Sequence, residues 1–400
     1  MRSVLELETT KKKARKDTFM THQHGQQETQ TSPSQSADSG GDGSNIVISY
    51  ESKPGLGWLS IKNFLLNLIT LTIYRFWAKT TVRKHIWSCV HINGEPLEYT
   101  GRGLELFLGA VVVLFIFLPI VFLIQWLQMA GHIEFLIAVQ GAFALLFFVL
   151  IGMAIYRARR YRLSRTVWRG VRGALVGSSL KYSLLYFGSI LLSGITLGWS
   201  NPAMKLELQE RITKDMRFGE TPFGFKGKAG PLYGRYAIAW FASLSVIVIL
   251  AIIGGFAIVG RSQDIVAQVE GAGDNPKLVI TMILGIYAAV FLLAMVFAII
   301  WSFYTAYEMA RFASYTYFDN ATFRFDATGP SLIMLWVVNI LIVIFSLGIA
   351  TPFTVQRTIR YFIDRLDVDG WVDIGQIQQS QARVDSRGEG LLDAFDIDAI

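Results

Sequence analysis

Four stretches of this chain, Leu106 to Leu127, Phe135 to Tyr156, Ala237 to Val259 and Leu278 to Phe303, contain no Lys, Arg, Asp or Glu. Each has the roughly 20 apolar residues that a helix needs to cross a ~30 Å hydrocarbon layer. A helix at the surface of a soluble core keeps one polar face, and these windows have none. Composition agrees: 52% of the residues are apolar and 17% charged, against roughly 45–50% and ~25% in ordinary soluble domains. The expectation is an all-α, multi-pass membrane protein.

Three further stretches resemble one another and organise the rest. Ile69 to Trp77, Ile195 to Pro202 and Phe345 to Pro352 each end an apolar segment and open a basic, helix-like one. At an offset of 126 residues Thr70 meets Thr196, Leu71 meets Leu197 and Lys79 meets Lys205; a further offset of 150 brings Leu347, Gly348 and Pro352 under Leu197, Gly198 and Pro202. Matches in register at a fixed spacing are the signature of internal duplication. The chain therefore reads as two and a half copies of one unit: a short element, then two long spans.

The segments Leu97-x-Tyr99-x-Gly101, Phe223-x-Phe225-x-Gly227 and Phe323-x-Phe325 alternate at period two, as strands do. With Ile46 to Tyr50 and Val372 to Ile374 they are expected to pair into a small juxtamembrane sheet. The resulting division is a disordered polar tail at 1–45, a membrane domain at 46–375 with units at about 58–181, 184–330 and 335–375, and an acidic tail at 376–400.

Charge bears on topology. The stretch 157–181 holds eight Lys or Arg and no acid, and 202–235 holds seven. If the three short elements also cross, these two loops fall on opposite faces, against the bias of Lys and Arg for the cytoplasm. If each short element re-enters and returns, every basic loop shares one face. Four long spans plus three short re-entrant elements is the favoured arrangement, with both termini cytoplasmic. Arg162, Arg165, Arg169 and Arg172, spaced as on one helical face, are expected to meet lipid headgroups.

These motifs resemble the YjgN family, bacterial inner-membrane proteins with a domain of unknown function. The family pattern of Thr-Leu-Gly-Ile-Tyr-x-x-Trp-Ala is matched by Thr70, Leu71, Ile73, Tyr74, Trp77 and Ala78, and its aromatic strand by Leu97 to Gly101. The resemblance extends over about 46–375. This chain departs from it at Thr72, where the pattern has Gly, and in a first copy without Pro. The resemblance implies the inner membrane and no established activity.

No catalytic, cofactor or metal constellation is legible: the five histidines lack ligand spacing, and no phosphate-cradling Gly-rich loop occurs. The net charge of +7 fits a topological bias toward anionic lipid rather than nucleic acid. Polar positions inside the short elements, Asn63, Asn67, Ser189, Ser193 and Asn339, are the candidates for a shared pocket. Two functions follow: a small-solute or ion transporter or channel with its path among the repeated elements, or a non-transporting scaffold that contacts lipid through a basic cytoplasmic face.

Overall fold

The computed structural model describes residues 44–260 and 276–377. The two expected tails lie almost wholly outside that range. The chain enters as β1 (Ser44–Asn45) and β2 (Ile48–Tyr50), then forms a short helical pair, α1 (Leu56–Ile69) and α2 (Arg75–Trp87), followed by β3 (Val90–Ile92), β4 (Glu95–Pro96) and β5 (Glu98–Tyr99). A long pair follows, α3 (Gly103–Met129) and α4 (Ile133–Arg165), with the hairpin β6 (Thr166–Trp168) and β7 (Val171–Leu175). The next short pair is α5 (Ser179–Ile195) and α6 (Asn201–Asp215), closed by β8 (Met216–Phe218) and β9 (Thr221–Phe225). The second long pair, α7 (Gly230–Gly260) and α8 (Pro276–Tyr315), leads into β10 (Thr316–Phe318) and β11 (Ala321–Phe325). The last short pair is α9 (Gly329–Phe345) and α10 (Thr351–Ile363), with β12 (Leu366–Asp369) and β13 (Trp371–Val372).

Length separates the two kinds of pair. Stretches of α3, α4, α7 and α8 covering Gly103–Met129, Ile133–Arg165, Gly230–Phe256 and Val279–Tyr315 are long and apolar enough to cross a membrane. At about 1.5 Å per residue, the 14 residues of α1 fall short of a ~30 Å core. The 17 residues of α5 and of α9 also fall short, and each is followed by a charged helix rather than by more apolar chain. The expected juxtamembrane strands are present, with Ile374 turned instead into a short 3-10 helix.

Those strands make a closed circuit. β5 pairs with β6, and from there each strand pairs antiparallel with the next as far as β12. Three segments pass the pairing onward across a one- or two-residue break. Leu97 joins β4 to β5, and β4 pairs with β3, which pairs with β2. Gly370 joins β12 to β13, which pairs with β1, and Ile46–Val47 join β1 to β2. Gly370 sits at φ 113°, and a Cβ there would come within 2.3 Å of the Asn320 carbonyl oxygen, so the strand can turn between partners only at a glycine.

The register fixes direction as well. Tyr99 faces Thr166, Leu175 faces Met216, Phe225 faces Thr316 and Phe325 faces Leu366. All helix ends therefore attach at one rim. The tight turns lie at the other rim, where Asn93-Gly94 and Arg169-Gly170 take the left-handed backbone (φ 50°, 82° and 50°, 76°) of a type I′ hairpin. Side chains from strands two apart meet across the ring: Trp168 with Phe218, Phe218 with Phe318, and Phe223 with Phe323. Phe318, Ala321 and Val372 are buried in that cluster.

The helices follow the same circuit, each packing on its neighbours in the chain, with α10 closing on α1. Where α5 crosses α4, Gly152 lets the backbone approach: a Cβ there would lie 2.8 Å from Ser183 Cα.

Each short pair reverses through the same turn. Leu71, Leu197 and Leu347 have φ of 48°, 51° and 49°, and are followed by Thr72, Gly198 and Gly348 at 70°, 86° and 84°. Thr70 and Thr196 donate to the carbonyl four residues back and accept the N–H four residues on; Ser346 likewise accepts the Ala350 N–H. The first copy forms this turn even with Thr72 in place of Gly and without Pro. The local hydrogen bonds, including Thr72 N–H to Asn67 O at 2.7 Å, hold it against a strain of roughly 1–2 kcal/mol for a non-glycine left-handed residue.

Candidate functional site

A cavity of about 310 Å³ opens between the first and last short pairs, α1, α2 and α10, with Arg162 of α4 on one wall. α1 contributes Asn63 and Asn67, one turn apart on one face, and α2 contributes Arg75, Lys79 and Arg83 at the same helical spacing. The turn before α10 and its first residues supply Gly348, Thr351 and Pro352. Phe64, Val82, Trp87, Val355 and Ile359 make the rest of the wall largely apolar. Among the described residues no Asp or Glu lines it, while Arg75, Lys79, Arg83 and Arg162 do.

Burial sharpens the picture. Asn63 is 5% exposed, yet neither its Nδ2 nor its Oδ1 has a hydrogen-bond partner; the Oδ1 of Asn67 has none either. Buried polar groups in folded proteins are nearly always paired. Arg83 is also buried and donates to the Tyr99 hydroxyl at 3.4 Å. Trp87 donates from Nε1 to Thr166 Oγ1 at 2.9 Å, tying the foot of the cavity to the strand rim.

The five candidate polar residues do not converge. Asn63 and Asn67 share the cavity, but Ser189 donates to its own helix at Tyr186 O (2.7 Å), and Ser193 donates to Asn201 Oδ1 (2.8 Å). Asn339 donates to Thr358 Oγ1 at 3.0 Å, joining α9 to α10. Equivalent sequence positions thus serve three different ends. Of the motif residues, Gly348 and Pro352 reach the cavity, while Leu71, Leu197 and Leu347 protrude from the tips at 84%, 77% and 84% exposure. Tyr74 stacks with Trp77, and Trp240 donates to Leu197 O at 3.0 Å, pinning the second tip to α7.

The four arginines expected on one helical face are divided by the end of α4 at Arg165. Arg162 lines the cavity. Arg165 is paired with Glu105 at 2.7 Å, and Glu105 also accepts from Tyr161 at 2.8 Å. Arg169 sits in the β6–β7 turn, bound through two nitrogens to Glu95 (2.7 and 2.9 Å), which holds the Glu95 carboxyl below its ordinary pKa. Arg172 is in β7. The missed signal was Thr166-Val167-Trp168-Arg169-Gly170, a β-rich run ending in a turn glycine.

Missed entirely were the cations of α2 as cavity residues. Their spacing was visible, but their meeting with α10, far along the sequence, was not.

Fold and site together define a multi-pass membrane protein of helical pairs, long and short, standing on one rim of a closed strand ring. The chain belongs to the family described as bacterial protein of unknown function (DUF898), which matches residues 57–394. Over 85 residues it is 32% identical to the inner membrane protein YjgN of Salmonella typhimurium strain LT2. That similarity covers 21% of this chain and 22% of the relative, about a fifth of the relative's length. No solved structure matches.

Proposed function

We propose that this is a non-catalytic, non-transporting protein of the bacterial inner membrane that contacts acidic lipid from the cytoplasmic side. The observation that carries this reading is the exposure of the long helices: no more than 11% of the most apolar stretch of any of them is buried within the chain. A solute path needs spans that enclose a lining. These instead form two pairs whose most apolar stretches have few buried residues.

Orientation follows from charge. The loops on the ring side include the stretches with eight and seven Lys or Arg, while the turn Met129–His132 at the far end of the first long pair holds none. The positive-inside bias supports a cytoplasmic ring, in keeping with the cytoplasmic termini expected from the sequence. The name of the Salmonella relative supports the inner membrane as the location.

Reconstitution tests the reading. Liposomes carrying the pure protein are expected to show no flux of ions or small solutes above empty vesicles, and the purified protein is expected to retain acidic over zwitterionic lipid. Saturable flux of any solute would overturn it in favour of a transporter working through the cavity beside α10.

A further inference from the structure

We infer that the short pairs lie along the cytoplasmic surface of the bilayer, with an apolar stripe of each first helix set into that leaflet, instead of dipping toward its middle. The ring-side ends of the charge-free windows mark where hydrocarbon begins, because a charged side chain is costly beyond that level. Tyr156, Ala237 and Phe303 are therefore at one depth. At the start of α5, Ser183 packs on Gly152 and donates to Val149 O. These lie four and seven residues inside the window that ends at Tyr156, about 6–10 Å deep. At the far end of α5 the tip turn is held by Tyr236, which donates to Gly198 O, and by Trp240, which donates to Leu197 O. Tyr236 is one residue outside the window that begins at Ala237, and Trp240 is three residues inside it, about 5 Å deep. From Ser183 to Ile195 the helix travels about 18 Å without gaining depth, so it runs along the bilayer plane. Beyond Trp240, Phe241 to Val259 still supplies 19 uncharged residues, about 28 Å, enough to cross the hydrocarbon alone.

The other short pairs agree. Phe76 and Trp77, in the first turn of α2, pack on Phe107, the second residue of the first window. At the start of α9, Gly329 lies against Phe303, the last residue of the fourth window. Farther along α9, Leu332 and Leu335 share a cluster with Ala306, three residues to the ring side of that window.

The surface facing the leaflet is apolar. α5 buries Tyr182, Ser183 and Ser189 and exposes Leu180, Leu184, Leu191 and Ile195, at spacings of four and seven that set them on one face. α1 repeats the pattern with Trp58, Ile61, Leu65 and Leu68. The exposed Lys62 and Lys181 border the two stripes, as basic residues do on helices that rest at a headgroup boundary. Aromatic rings gather at the second tip, where Trp199 meets Tyr236 and Trp240, as they do where hydrocarbon meets water. The stripes are thus continuous with the lipid-facing surface of the long helices. The inference rests on the lipid-contacting reading and names the surface that makes the contact.

The test is nitroxide depth in liposomes of phosphatidylcholine and phosphatidylglycerol. Single labels are placed on the full chain at Leu184→Cys, Leu191→Cys and Ile195→Cys, each with Cys89→Ser, and power saturation is read with oxygen and a nickel chelate. All three labels are expected at one depth, within about 10 Å of the headgroup boundary, with Leu250→Cys in α7 as the deep reference. Ile61→Cys and Leu68→Cys on α1 repeat the measurement should a label on α5 prevent folding. A depth that grows by about 16 Å from Leu184 to Ile195 would overturn the inference in favour of a re-entrant pair. Free access of nickel to all three labels would overturn it in favour of a face in water, and poor access of both reagents in favour of a face covered by a second copy of the chain. Equal shallow depths in a protein that shows solute flux, or no preference for acidic lipid, would leave the placement standing and overturn the functional reading alone.

Discussion

The long and the short helical pairs leave the same rim of the same ring, yet they solve different problems. The long pair α3–α4 runs 27 and 33 residues and turns at Gly131, φ 74°, beyond a fully apolar stretch. The short pair α1–α2 runs 14 and 13 residues and turns through Leu71 and Thr72 in strained left-handed backbone. Polar groups are nearly absent from the middle of the long pairs and gather in the short ones. Long pairs are thus the membrane anchor, and short pairs are where the chain tolerates irregular backbone and buried polar atoms. Exposed leucines at the three strained tips say what the strain is for: it places an apolar side chain at the end of each hairpin.

That contrast can be broken experimentally. The largest effect is expected in the ring, on which both kinds of pair depend. Phe318, packed against Phe218 and Phe223, should cost about 3–5 kcal/mol when changed to Ala, read as a fall in Tm in detergent and loss of cooperative unfolding. Next is the seam between a long and a short helix. Gly152→Leu forces α5 away from α4 and should cost about 1–3 kcal/mol, which thermal unfolding with and without lipid will register.

A smaller effect sharpens the comparison at the tips. Thr72→Gly should stabilise by about 1 kcal/mol by relieving a β-branched left-handed residue. Gly348→Thr, where a Cβ would meet no atom within 4 Å, should cost a similar amount for purely conformational reasons. If both changes leave Tm unmoved, the tips are not held in the left-handed turn. The smallest effect is expected at the far rim, where Arg169→Ala removes an exposed pair with Glu95 and should leave Tm unchanged.

Much of this was legible in the sequence, for definite reasons. The four long helices announce themselves because a window without charge has no polar face to spend on water. The strand around Phe223 and Phe225 shows through its period-two alternation. The tip turns show through the recurrence of Leu197-Gly198 as Leu347-Gly348. Closure of the ring did not show, because it depends on Asn45 meeting Trp371, a pairing that no local pattern encodes. The cationic cavity was half legible. Asn63 and Asn67 stand out as polar residues in an apolar helix, but the spacing of Arg162 with Arg165, Arg169 and Arg172 suggests a helical face, and the helix ends at Arg165. Ser189 and Asn339 are equivalent to Asn63 by position, whereas their partners Tyr186 and Thr358 are set by packing that differs between copies.

The central claim is that every helical pair, short or long, returns the chain to one side of the membrane. The direct measurement is labelling of single cysteines with a membrane-impermeant thiol reagent in intact and permeabilised cells. The variants are Arg169→Cys and Lys214→Cys, both with Cys89→Ser. Arg169 precedes the short pair α5–α6, and Lys214 lies in the last turn of α6. One continuous ring predicts that both label only after permeabilisation. If one of the two labels in intact cells and the other does not, the short pair crosses the membrane and the account is wrong.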